Sequence, residues 1–284
     1  MNRLKYFGYY LLKTDWPRFF RFLYFASKKT SKPKGVILLD VLQSSFRYNI
    51  SLLDYFYFRF FELNKADRQK WAGTGFLYEY QLRMNPKSTR EVLENKISFL
   101  QHYSPFIKRS FASLHELQKN PGKATQLLGN ASGRLVLKGS HGQVGAEVEV
   151  VNAVDYNHES LLRYMQSKGY DLAEEYVVQH PAVMGLSPSG LNTLRIFTQL
   201  HNNKVDLLGA RLRVSVNSPV DNLAAGNLAA PVDPVTGKVN GAGVYSDITK
   251  TDEAVHPITG NPMEGFQIPF WPEALQMAKD AAMF

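Results

Sequence analysis

The sequence predicts an α+β fold with a helical N-terminal region. Helical patterns fill the first part of the chain, with aromatic residues at helical spacing between Tyr48 and Trp71. A stretch of alternating polarity, Arg134 to Val151, then reads as a hairpin, and one helix and several more strands follow it. Strands and helices do not alternate regularly, which argues against a doubly wound parallel sheet.

The composition sets the limits. With 284 residues the chain buries a sizeable core and suits one large domain or a few small ones. At 44% hydrophobic and 20% charged it is a globular rather than a disordered chain. It has no cysteine, which excludes disulfides, thiolate metal sites and cysteine nucleophiles, and fits a reducing cytoplasm. The net charge of +8 points to anionic partners: nucleotide phosphates, nucleic acid or an acidic membrane surface. No apolar run reaches the roughly 18 residues that a membrane span needs, and the N-terminus lacks a signal-peptide core. A cytoplasmic protein is expected.

Residues 1–34 mix aromatic and basic side chains, Trp16, Phe19, Phe20 and Tyr24 among Lys13, Arg18 and Arg21, and close on Lys28, Lys29, Lys32 and Lys34. They read either as an interfacial helix on an anionic leaflet, peripheral at the inner membrane surface, or as a helix packed on its own domain. Tyr48–Trp71 reads as one helix with Phe56, Phe60 and Leu63 on its core face, and Asn85-Pro86 marks a boundary. Ser88-Thr89-Arg90-Glu91 fits a capping box opening a helix that carries Lys96, and a further helix is expected over Ser110–Lys119. In the hairpin Leu135 and Leu137 face one way, and Arg134, Val136 and Lys138 the other. Asp155–Lys168 reads as a helix closed by Gly169, and Tyr170–His180 as a strand with the carboxylate pair Glu174 and Glu175. Leu191–Leu200 and Leu207–Val216 read as strands, the first with Arg195 on its polar face, the second with Arg211 and Arg213 on one face. Asn217–Gly260 is turn-rich, and Trp271-Pro272 opens a last helix. The expected divisions are 1–85, 86–180 and 181–284.

The chemistry is carried by basic residues at the ends of regular elements: Lys96, Lys138, Arg195, Arg211 and Arg213. Lys138 precedes the loop Gly139-Ser140-His141-Gly142-Gln143-Val144-Gly145, whose glycines let backbone N–H groups approach a ligand. Two readings stand open for it, a polyphosphate cradle and an ordinary hairpin with a long turn. Arg195 lies inside a strand pattern, where a charge is paired or serves a ligand. Asp221 is either a turn residue or part of a substrate loop. The chain has no phosphate-binding loop ending in Lys-Ser/Thr, no dinucleotide fingerprint and no HExxH. Its seven histidines form no pair at metal-ligand spacing, and no nucleic-acid-binding module is recognisable.

Several pieces in order resemble the ATP-grasp superfamily, most closely its sugar-transfer-associated branch. They are Lys138 before the glycine loop, Glu174-Glu175-Tyr176-Val177-Val178, Asn192-Thr193-Leu194-Arg195, Val220-Asp221-Asn222 followed by Gly226, and His256-Pro257 with Thr259-Gly260 before Ile268-Pro269 and Trp271. The resemblance covers roughly Asn85 to Pro272. It implies two α+β subdomains, at 86–180 and 181–284, that grip ATP with Mg²⁺ between them. It implies that Lys96 and Lys138 contact the α- and β-phosphates, and that the loop with Ser140, His141 and Gly142 closes over them. Glu174, Glu175 and Val178 would hold the adenine edge, with Gln179 near the ribose. Arg195, with Arg213, would meet the γ-phosphate or an acyl phosphate, and Asn192, Asp221 and Asn222 would line the acceptor side.

The expected function is ATP-dependent carboxylate–amine ligation in surface-polysaccharide or glycan modification, on a small-molecule or glycan substrate bearing a carboxylate or an amine. One departure stands against it. Such enzymes usually hold Mg²⁺ with a late acidic residue and then a Glu-x-Asn pair, and this sequence reaches Phe284 with no such pair after its last helix. The expectation is a chain truncated in its second subdomain. A non-catalytic nucleotide-binding scaffold and a membrane-peripheral module stay open, as does a phosphotransferase on the same fold.

Overall fold

A computed structural model describes residues 3–140 and 148–284. Its contacts divide the chain into two units, Met1–Arg90 with Ser246–Thr251, and Glu91–Tyr245 with Asp252–Phe284.

The first unit is helical: α1 (Arg3–Lys13), α2 (Trp16–Thr30), α3 (Lys34–Tyr48), α4 (Asp54–Tyr57), α5 (Lys65–Arg68), α6 (Thr74–Met84) and α7 (Lys87–Arg90). The carboxylate of Asp15 caps α2 by accepting the Arg18 N–H at 3.1 Å, Pro17 sits in its first turn, and Ser31 ends it in the left-handed conformation at φ 56°. The single helix expected over Tyr48–Trp71 does not form. The backbone turns left-handed at Asn49 and Arg59, with φ of 54° and 51°, and breaks the stretch into α4, α5 and turns. Aromatic spacing alone cannot separate a straight helix from tight turns wrapped on one core. Phe56 and Phe60 are nevertheless fully buried, with Phe19, Phe22, Ile37, Val41 and Tyr55, and Leu63 packs at the edge of this cluster. The aromatic rings meet mainly edge to face, as Phe19 and Phe56 do with centroids 5.4 Å apart.

One polar network lies against this core. Both guanidinium nitrogens of Arg68 donate to Asp40 at 2.7 Å, and the Tyr55 hydroxyl donates to Asp40 Oδ2 at 2.7 Å. Burial pushes the Asp40 carboxyl up, but the hydrogen bonds from Arg68 and Tyr55 outweigh it and leave the group below its ordinary value. The face of α2 away from the core exposes Trp16, Phe20 and Tyr24 at four-residue spacing, and Lys28 and Lys34 lie over the Tyr24 ring, 4.8 and 4.9 Å from its centre.

The second unit opens with α8 (Lys96–His102). Its cap is Asn95, which accepts the Ser98 N–H at 3.0 Å, so the helix starts after the expected capping box at Ser88, whose residues lie in and beside α7. The expected helix over Ser110–Lys119 is instead strand β1 (Phe111–Ser113) followed by α9 (Leu114–Lys119), where Ser113 and Glu116 form a capping box. Helix α10 (Pro121–Leu128) follows directly. The hairpin forms as read, β2 (Arg134–Lys138) against β3 (Val148–Asn152). Helix α11 (His158–Lys168) ends at Gly169, whose φ of 73° favours glycine. Strand β4 (Leu172–Glu175) is shorter than expected, because the chain leaves the sheet at Tyr176 and His180 caps α12 (Pro181–Leu186).

These four strands form an antiparallel sheet in the order β1-β4-β2-β3. Leu135 and Leu137 are buried against Leu117 and Leu127 from α9 and α10 and Leu161 and Met165 from α11. Alternation puts Lys138 and Glu174 on the sheet's other face.

A second antiparallel sheet has the order β5 (Thr193–His201), β6 (Lys204–Val214), β7 (Leu228–Val232). Asn202 and Asn203, with φ of 48° and 58°, make the two-residue turn between β5 and β6. Ala210, Leu212, Val214, Leu228 and Val232 pack with Met263, Ile268 and Trp271, the last residue opening α13 (Trp271–Met283). Gly237, at φ 71°, admits the indole of Trp271 to within 2.1 Å of where a Cβ would stand. The result is a mixed α and β architecture with two antiparallel sheets, the class that the order of elements predicts.

Candidate functional site

Three groups of polar side chains in the second unit contain the residues singled out in the sequence. The first lies at the C-terminal end of β2. Lys138 and Glu174 share a face because Val136 pairs with Glu174 in the β2–β4 register, which puts Lys138 on the diagonal. Lys138 Nζ binds Glu174 Oε2, and Arg109, just before β1, reaches Glu174 Oε1 at 2.9 Å. Glu174 is only 4% exposed, so one buried carboxylate is shared by two cations. Beside it, Lys96 Nζ donates to the Gly139 carbonyl at 2.7 Å, and the Lys96 N–H to the Ser140 carbonyl at 3.3 Å. Ser140 is buried and gives both its N–H and its hydroxyl to the Asp171 carboxylate. Lys96 thereby reaches the turn that follows Lys138, so two lysines 42 positions apart in the chain stand at the end of the same strand. His141 and Gly142 lie outside the described residues.

Glu175 alternates to the opposite face from Glu174 and turns to the edge strand. Its carboxylate accepts the Ser110 N–H at 3.1 Å, and its own N–H donates to the Ser110 carbonyl at 2.8 Å. The carboxylate pair that the sequence presents as adjacent is therefore split between two environments.

The second group joins the segment after β4 to the start of β5. Gln179 donates to the Gly190 carbonyl at 2.7 Å and accepts the Asn192 N–H at 2.7 Å. The Asn192 amide donates to the Ser187 carbonyl at 2.9 Å and accepts the Ser215 N–H at 2.8 Å, while His256, fully buried, binds the Ser215 carbonyl at 2.9 Å. Gln179 and Asn192 thus position backbone. Val178, 71% exposed, leaves the chain between Tyr176 and Gln179 open to a ligand.

The third group is the polar face of β5 and β6. Arg195 stands directly opposite Arg211, and Thr193 opposite Arg213. Arg213 is neutralised: its guanidinium contacts Asp221 Oδ1 at 2.9 Å, and Thr193 donates to Asp221 Oδ2. Asp221 is 9% exposed and its neighbour Asn222 caps a short turn by accepting the Ala224 N–H at 3.1 Å. Arg195 and Arg211 are exposed, and neither meets a carboxylate among the described residues. Like charges directly opposite on one sheet face disfavour each other, and an anion set between them would relieve that repulsion.

Together the groups offer two lysines beside a hydrogen-bonded turn and two arginines on a sheet that meet no carboxylate among the described residues. Such a set can bind and orient a polyanion. Among the described residues no three His, Asp or Glu side chains converge as a metal site requires. Glu174 and Asp221 are already committed to cations. Sequence reasoning missed Arg109 and Asp171. Nothing local marks either one, since their partners are fixed only by the pairing of β1, β4 and β2.

Residues 76–284 match the family described as sugar-transfer associated ATP-grasp. No curated protein and no solved structure matches the chain.

Proposed function

Because the chain belongs to the sugar-transfer associated ATP-grasp family, we propose that it is an ATP-dependent ligase joining a carboxylate to an amine. ATP-grasp families bind ATP, typically with Mg²⁺, and generally catalyse ATP-dependent ligation. The observation that carries the reading is that Lys96 reaches the Gly139 carbonyl at the end of the strand that carries Lys138. In this reading the two ammonium groups neutralise the α- and β-phosphates, which charge-assisted hydrogen bonds hold in place. The open backbone around Val178, with Gln179, takes the adenine and ribose, and the Glu174 carboxylate serves as counter-ion to Lys138. Glu175 fixes the strand edge beside it.

Arg195 and Arg211 receive the γ-phosphate. A substrate carboxylate oxygen attacks the γ-phosphorus, the bond to the β-phosphate oxygen breaks, and ADP leaves. An amine nitrogen then attacks the acyl carbon of the acyl phosphate. Phosphate departs with the bonding pair, and the nitrogen gives its proton to solvent. The developing negative charge lies on the transferred group, where fixed guanidinium groups stabilise it most. Arg213, Asp221, Asn222 and Asn192 hold the acceptor side of the site through their bonds to one another and to backbone.

In this reading the substrate is a glycan or a glycan precursor in surface-polysaccharide modification, which the family's sugar-transfer association supports. The exposed Trp16, Phe20 and Tyr24 of α2, with Lys28 and Lys34 beside them, favour work at an anionic membrane, at the cytoplasmic side of the inner membrane. No helix among the described residues is long and apolar enough to cross one.

The test is ATP binding by calorimetry at fixed ionic strength, followed by ADP release with amino acids and sugar acids. Micromolar binding that weakens at least tenfold in Lys138→Ala, about 1.4 kcal/mol, supports the nucleotide site. No binding by the unaltered chain would sink the reading. Binding without ADP release across the substrate set would favour a nucleotide-binding scaffold.

A further inference from the structure

Glu174 is a buried carboxylate with two cationic partners, and only one of them, Lys138, is a residue that the ligase reading brings to a phosphate. A lysine that leaves a buried carboxylate strands the charge it had neutralised, which opposes the move strongly. Here the move is not opposed in that way. Arg109 holds the other oxygen at 2.9 Å, and Lys138 and Arg109 approach from different elements, the end of β2 and the lead into β1. Arg109 is itself only partly exposed, and it belongs to none of the pieces by which the family is recognised in this sequence.

We propose that Arg109 is a positioning residue for the nucleotide: it keeps Glu174 neutralised so that Lys138 is released to the ATP phosphates. The proposal rests on the ligase reading. Its logic is a count of charges. Lys138, Arg109 and Glu174 together carry one net positive charge, and that charge becomes available to a ligand only through the mobile partner. Lysine is suited to the moving part, with a flexible stem and a compact ammonium, and arginine to the fixed part, with a planar fork and a charge that does not titrate. Without Arg109 the pair Lys138–Glu174 is neutral and closed, and Glu174 competes with phosphate for the ammonium.

The experiment measures ATP affinity by calorimetry on the full chain, well below the melting temperature of each variant. Arg109→Gln is expected to weaken ATP at least tenfold with unchanged stoichiometry. Adding Glu174→Gln is expected to restore affinity to within about threefold of the unaltered chain, because the competitor is gone and the net charge of the group is back. In a Lys138→Ala background, Arg109→Gln is expected to have no further effect, since Arg109 acts through Lys138. Lys108→Gln removes a neighbouring exposed charge without touching Glu174, and is expected to leave affinity within twofold.

A merely structural role would lower the melting temperature of Arg109→Gln and leave the affinity of the folded protein unchanged. That result overturns the proposal, as does a loss in Lys108→Gln equal to that in Arg109→Gln, which would reveal only long-range attraction. An additive loss in the Lys138→Ala background overturns it too. If the unaltered chain fails to bind ATP, or binds it without regard to Lys138, the ligase reading itself has failed and the proposal with it.

Discussion

Each unit contains a carboxylate held by more than one partner, Asp40 in the first and Glu174 in the second, and the partners differ. In the helical unit Asp40 meets one arginine, Arg68, and two neutral hydroxyls, those of Tyr55 and, at 3.5 Å, Ser44. The charges balance, every oxygen is used, and nothing remains for a ligand. In the second unit Glu174 meets two cations, Lys138 and Arg109, and a positive charge is left over. The same motif is closed in one place and open in the other. The difference fits a structural tie in the first unit and, on the reading proposed above, a place in the second where an anion can meet the surplus charge.

The contrast is broken most forcefully at its structural end. Arg68→Ala leaves Asp40 and Tyr55 facing a vacated site, and is expected to cost about 3 kcal/mol of stability in urea unfolding, with ATP affinity unchanged in the folded protein. A parallel loss of ATP binding at temperatures where the variant is folded would erase the distinction between the two networks. On the functional end Arg195→Ala is expected to lower ADP release about a hundredfold, roughly 2.7 kcal/mol. Its stability should stay the same or rise slightly, because Arg195 faces Arg211 across the ladder. A destabilised Arg195→Ala would mean that this arginine is a structural tie after all.

The smallest expected effect is in pH. The Asp40 carboxyl is held below its ordinary value, so its contribution is fully present above the unfolded carboxylate range and is lost as pH falls through the lowered value. Urea midpoints taken between pH 7 and pH 3 should fall with acid, and part of that slope should vanish in Asp40→Asn. An identical slope in the variant would show that Asp40 is not the group being titrated.

How legible all this was in the sequence varies by element. The hairpin strands β2 and β3 were visible because alternation of Leu135 and Leu137 against polar neighbours is a local property of a half-buried strand. The same holds for α11, whose glycine stop is a local backbone demand. The stretch from Tyr48 to Trp71 misled, since its aromatic spacing satisfies both a helix and a set of turns around one core. Strand β1 was hidden inside a helical pattern, and β7 inside a turn-rich stretch, because each is short and becomes a strand only when its partner lies alongside.

For the site, the sequence by itself determined which charges exist and which element carries each: Lys96, Lys138, Glu174, Arg195 and Arg213 stand where the reading set them, and the family follows from the order of their motifs. Only the tertiary structure decided which of these charges are spent. Arg213 goes to Asp221, Glu174 is shared, and Arg195 and Arg211 meet no carboxylate among the described residues. The reason is physical. A residue's type and local period are written in its neighbours along the chain, whereas its electrostatic partner is set by strand register across tens of residues, as Arg109 and Glu174 are joined across 65.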